Sequence, residues 1–64
     1  MLNFIELHYD TGDAICINVN KIVSYARVPG RNYTDLLLGR ESLMVRESPA
    51  EISQLIIAAQ RATP

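Results

Sequence analysis

A single cysteine, Cys16, excludes a disulfide within the chain. A single histidine, His8, leaves a structural zinc site short of the four ligands that such sites use. There is no tryptophan and only one phenylalanine, so no large aromatic core is available. With 64 residues, the chain is one small domain. A core of that size rarely contributes more than about 3–5 kcal/mol of net stability, so disulfides, metals or partners usually add to it. With the first two excluded, self-association is the expected stabiliser, and no cofactor or metal is expected.

A basic excess is also missing. Six Lys and Arg stand against seven Asp and Glu, for a net charge of −1. Phosphate contacts supply most non-specific nucleic-acid affinity, so the balance argues against a dedicated nucleic-acid binder. No apolar run approaches the ~20 residues of a membrane span. The start, Met1-Leu2-Asn3-Phe4, lacks a basic region followed by a long apolar one, so no export signal is expected. A free thiol without an export signal points to the cytoplasm and to no membrane partner.

What is present is 48% hydrophobic and 20% charged, the composition of a folded domain. Gly12, Pro29-Gly30 and Gly39 punctuate it into strands at about residues 2–9, 13–19, 22–28, 33–38 and 41–46. In the first two strands, Ile5 and Leu7 alternate with Glu6 and His8, and Ile15 and Ile17 flank Cys16. Both apolar sets must face one core, and a one-residue slip would turn one of them outward. A three-residue loop, Asp10-Thr11-Gly12, meets this demand, pairing Leu7 with Ile15 and Ile5 with Ile17. It needs a type I turn followed by a left-handed residue, which is Gly12. Asp10 is expected to accept bonds from the turn amides. Gly39-Arg40 suits a type II′ turn, pairing Leu36 with Leu43 and Thr34 with Val45. Faces cannot be assigned in the third strand, where Ile22, Ala26 and Val28 compete with Val23 and Tyr25.

Ser48-Pro49-Ala50-Glu51 is a capping box with proline at the first helical position. It predicts a helix over about 49–62 with Ile52, Leu55, Ile56 and Ala59 as its core stripe. Ile57 lies about 140° from Ile52 at 100° per residue, outside that stripe. The expected fold is therefore mainly β, an α+β meander of about five antiparallel strands. It curls as a partly open SH3-like barrel, closed by one C-terminal helix.

Asp10-Thr11-Gly12 also spells the catalytic signature of retroviral-type aspartic proteases. That chemistry needs two aspartates sharing a proton. Here a charged Asp13 follows the motif, His8-Tyr9 replaces an aliphatic run, and the chain has little length for a cleft. D-T-G is read as a turn. Glu6 opposite Cys16, with His8 diagonal to it, could suggest a thiol nucleophile or a metal site. A nearly flat sheet face offers neither an oxyanion hole nor exclusion of water, so a solvated or interface surface is expected. Ser48-Pro49 could be a phosphorylation site, but the capping box accounts for both residues.

Two surfaces remain. Phe4, Leu37, Met44 and Ile57 are apolar residues on outward faces, and together they predict a self-association surface, with a dimer as the commonest closed form. Arg27, Arg31, Arg40 and Arg46, with Tyr25 and Tyr33 among them, form a candidate nucleic-acid face by stacking and phosphate contact. Asp35, Glu41 and Glu47 weaken it.

The stretches INVNKIVSY and LLLGRESLMVRESPAEISQLI resemble small flagellar-operon proteins associated with swarming motility, and similar short bacterial and phage proteins. Val45, Glu47, Ser48, Glu51 and Ile52 match that family's entry to its final helix, and Pro49 fills a variable place. The resemblance implies a non-enzymatic role and brings no catalytic residue. The tail is also similar to the second half of β-rich response-regulator DNA-binding domains, which are longer and more basic. The expected function is a non-catalytic interaction or assembly module, homo-oligomeric and able to take an unidentified protein partner. The alternative is a nucleic-acid-binding regulatory module using the Arg/Tyr face.

Overall fold

The structure, a computed structural model, describes residues 3–61. Its elements are β1 (Phe4–His8), β2 (Ala14–Asn18), a 3-10 turn (Val19–Lys21), β3 (Ser24–Arg27), β4 (Thr34–Leu38), β5 (Glu41–Val45) and α1 (Pro49–Arg61). The expected first residue of the first strand, Leu2, and the expected helix end, Ala62, lie outside the described residues. The fold is mainly β: an α+β meander of five antiparallel strands and a C-terminal helix.

The first hairpin has the expected register, with Leu7 opposite Ile15 and Ile5 opposite Ile17. Its turn is closed by Gly12 N–H donating to Tyr9 O at 2.9 Å, and by Tyr9 N–H donating to Asp13 O at 2.9 Å. Gly12 has φ +96°, the left-handed position that the loop requires. Asp10 does not brace the turn as expected. Thr11 Oγ1 instead donates to Asp13 Oδ2 at 3.0 Å, because these two side chains share one side of the loop.

The second hairpin also matches its expected register, Leu36 opposite Leu43 and Thr34 opposite Val45. Gly39 has φ +73° and Arg40 a negative φ, the sign pattern of a type II′ turn.

Between the hairpins the chain departs from a plain meander. Asn18 Oδ1 accepts from Asn20 N–H at 2.9 Å, and this side-chain turn starts the 3-10 turn. The break lets both Ile22 and Tyr25 pack against the core, three residues apart, which no strand could do. Val23 and Ala26 are left exposed.

The strands therefore form two sheets, β1-β2 and β3-β4-β5, which are not closed into a barrel. A narrow seam joins them. Tyr9 bridges Val45, and Arg46 N–H donates to His8 O at 2.8 Å. Ile5, Leu7, Ile17, Leu36, Val45 and Ile52 are the buried core. Both sheets and the helix contribute to it, so neither sheet has a core of its own.

The capping box forms as expected. Ser48 N–H donates to Glu51 Oε1, and Glu51 N–H donates to Ser48 Oγ, each at 3.1 Å. Ile52 is fully buried, and Leu55, Ile56 and Ala59 pack beside it. Tyr25 Oη and Ser53 Oγ, 2.7 Å apart, tie the helix to β3.

Candidate functional site

Three surface regions carry the residues singled out from the sequence. The first is the outer face of β3-β4-β5. Ser24 lies opposite Leu37 and Leu37 opposite Ser42, while Ala26 faces Asp35 and Asp35 faces Met44. Leu37 and Met44 are thus diagonal neighbours, within about 7–8 Å by strand geometry. Leu37 is 36% exposed and Met44 51%, and the residues around them are small or short. Val23, 65% exposed, adds to this sheet through its N–H bond to Leu37 O at 2.8 Å. Sequence reasoning missed Val23, because its exposure follows from the 3-10 turn and not from any local periodicity.

Phe4 and Ile57 are exposed too, each at 48%, but elsewhere. Phe4 stands on the outer face of β1 opposite Asn18. Ile57 is on α1, which packs on the inner side of the sheets through Ile52. Of the four apolar residues expected to form one surface, only Leu37 and Met44 share a face.

The second region is the seam. His8 N–H donates to Glu47 Oε1 at 2.9 Å, where a strand carbonyl would continue the ladder. The His8 ring meets the other oxygen, Nδ1 to Oε2, at 2.6 Å. An ionised carboxylate only accepts, so Nδ1 carries the hydrogen. His8 Nε2 faces Glu6 Oε2 at 3.5 Å, where the glutamate is largely exposed and the pair is weak. The Glu47 side chain is only 14% exposed. Burial opposes its ionisation, but hydrogen bonds from the His8 ring, the His8 N–H and its own backbone outweigh it, helped by the charge of His8. The carboxyl therefore titrates below its ordinary range. Thr34, itself buried, donates its hydroxyl to Glu47 O at 2.6 Å.

Cys16 is a free, exposed thiol opposite Glu6. The imidazole is committed to Glu47 and Glu6, and no hydrogen bond joins it to the thiol among the described residues. Nor does any group of three or more His, Cys, Asp or Glu side chains stand ready for a metal ion among them. Glu47 was invisible as the partner of His8, because the two are 39 positions apart and meet only at the seam.

The third region is a cleft of about 180 Å³ lined by Arg27, Asn32, Tyr33, Thr34, Arg46 and Ser48, with Pro49 at its rim. It gathers three of the six residues of the expected Arg/Tyr face. Tyr25 turns inward to Ser53 and cannot serve as a stacking platform. Arg40 sits in the β4–β5 turn, six residues and roughly 20 Å along the strand from Arg46. Arg31 is exposed in the loop that Arg27 braces, its carbonyl accepting from Arg27 Nε at 3.2 Å. The face expected from the sequence is split, and its basic remainder is compact.

Compared with known proteins, the chain matches no family model, no curated protein and no solved structure. The residues on which the sequence comparison with swarming-motility proteins rests all have structural duties. Val45 and Ile52 are core, Glu47 closes the seam, and Ser48 and Glu51 cap the helix. No helix among the described residues is long and apolar enough to cross a membrane.

Proposed function

We propose that the protein is a non-catalytic interaction module that acts as a homodimer through the outer face of β3-β4-β5. One observation carries this reading. Leu37 and Met44 stand exposed and diagonal to each other on a face whose other members are Ser24, Ala26, Asp35 and Ser42. A second copy is the occupant that fits, because among the described residues the core has six buried apolar side chains while five large ones are exposed. Burying part of that surface adds stability of the kind a small core lacks. A two-fold axis through the patch sets the same residues against themselves. The exposed free thiol of Cys16 suits a reducing compartment, and we place the protein in the cytoplasm. The likeness to swarming-motility proteins fits a non-enzymatic role.

Light scattering on a size-exclusion column, from low micromolar to millimolar protein, is the test. A dimer mass at the upper end is expected. Leu37→Glu with Met44→Glu should give a monomer with unchanged circular dichroism, while Ile57→Glu should leave the dimer intact. A wild-type monomer throughout the range would refute the assignment.

A further inference from the structure

The cleft between Arg27 and Arg46 has no role in that dimer, and its chemistry is different. Arg27 Nε donates to Arg31 O at 3.2 Å, and its Nη2 donates to Asn32 Oδ1 at 3.1 Å. The guanidinium is held in place by its own loop, with Nη1 still free to donate. Arg46, the residue after β5, also lines the cleft, and its Nη1 lies 3.5 Å from where a Cβ on Gly12 would be, at the β1-β2 turn. Neither arginine forms an ion pair among the described residues, where every salt bridge belongs to His8. No acidic residue lines the cleft. Glu47 is engaged with His8, Glu51 with Ser48 N–H, and Asp13 with Thr11, while Asp35 stands on the outer face of β4 opposite Met44.

The polar groups between the two arginines are suited to a guest. Ser48 Oγ accepts from Glu51 N–H, so its own hydrogen remains available to donate. Asn32 Oδ1 is taken by Arg27, which leaves its amide N–H groups free. Tyr33, half-buried, forms one wall. The helix start supplies little, since Pro49 has no N–H and Glu51 N–H is already bonded to Ser48. The site rests on one preorganised guanidinium, that of Arg27, in a cleft of about 180 Å³ that Arg46 also lines.

We propose that this cleft binds one phosphate group, as the free ion or as a small monoester. Arginine forks match tetrahedral oxyanions, and fixing one fork in advance reduces the ordering cost of binding. A single group fits better than a nucleic-acid backbone. Arg40 is remote, Tyr25 faces inward, and the net charge of −1 does not favour a polyanion.

The test is a titration of the full-length protein, followed by two-dimensional amide NMR, with inorganic phosphate, with phenyl phosphate, and with chloride at matched ionic strength. Saturable shifts at Asn32, Thr34, Arg46 and Ser48 with phosphate, but not with chloride, are the expected result. Tighter binding of phenyl phosphate, with shifts at Tyr33, would identify a monoester as the ligand, and equal or weaker binding would identify the free ion. Arg46→Gln should weaken binding at least about tenfold, the loss of one charge-assisted bond pair. Arg27→Gln should do the same, and Arg27→Lys, which keeps the charge but not the fork, should weaken it less. Arg40→Gln should change nothing. Shifts that never saturate, or that respond equally to Arg40→Gln, would overturn the proposal. So would tighter binding of a single-stranded oligonucleotide with a salt slope of several phosphates.

Discussion

On its outer face the hairpin β1-β2 carries Phe4, Glu6, His8, Ala14, Cys16 and Asn18, whereas β3-β4-β5 carries Ser24, Ala26, Asp35, Leu37, Ser42 and Met44. The inner faces are alike, each with aliphatic residues at alternate positions. The outer ones differ in where their side chains are spent. His8 is tied to Glu47 and Asn18 to Asn20 N–H, so the first sheet uses its outer face to hold its own chain together. Among the described residues, Leu37 and Met44 remain 36% and 51% exposed. A surface with its polar groups already satisfied internally has little left to offer a partner, and a surface with uncovered apolar groups has much.

The largest effect should come from the shared core. Leu7 and Leu36 are both fully buried, one in each sheet. Leu7→Ala and Leu36→Ala should each cost about 2–5 kcal/mol, read by urea denaturation. Equal costs with a single transition would show that the two sheets stand or fall together. A Leu7→Ala transition confined to part of the signal would show the first sheet to be an appendage.

Gly12→Val comes next, because φ +96° strains any β-branched residue even though the site has room for a Cβ. About 1–3 kcal/mol is expected from the same measurement. An unchanged midpoint would mean that the turn does not need its left-handed residue.

The smallest effect sharpens the seam. The carboxyl of Glu47 titrates low in the folded protein, so its contribution is present above the ordinary carboxyl value of 4.5 and is lost as pH falls through the folded value. Glu47→Gln should lower stability at pH 7. It should also flatten the part of the loss below about pH 4.5 that Glu47 causes, as seen in thermal melts at stepped pH. Parallel curves for variant and wild type would remove His8–Glu47 as the tie.

Most of the fold was legible because it is local. The two hairpin registers follow from alternation and turn length, and the helix follows from Ser48-Pro49-Ala50-Glu51 and the Ile52 stripe. What was not legible depends on partners far away in sequence. Ile22 and Tyr25 both face inward only because a 3-10 turn intervenes, and that turn is set by one asparagine side chain. Tyr25 reads as a surface aromatic until Ser53 is placed above it. Exposure of Phe4, Leu37, Met44 and Ile57 could be read from periodicity, but their separation into different surfaces could not, since it depends on how the sheets and helix are stacked. The cleft is of the same kind: Arg27, Arg46 and Ser48 meet only when β3, β5 and the helix start are assembled.

Glu47 has a main chain that follows β5 and a carboxylate that takes the His8 N–H of the first sheet, where a carbonyl from the β5 side would otherwise accept it. Ordinary ladders between strands are written in backbone atoms, which every residue type supplies alike, so substitution hardly edits them. At this junction the last rung is a side chain. The strength of the tie between the two halves is therefore set in part at one position, where an alanine would remove one rung and leave the bond from Arg46 N–H to His8 O in place.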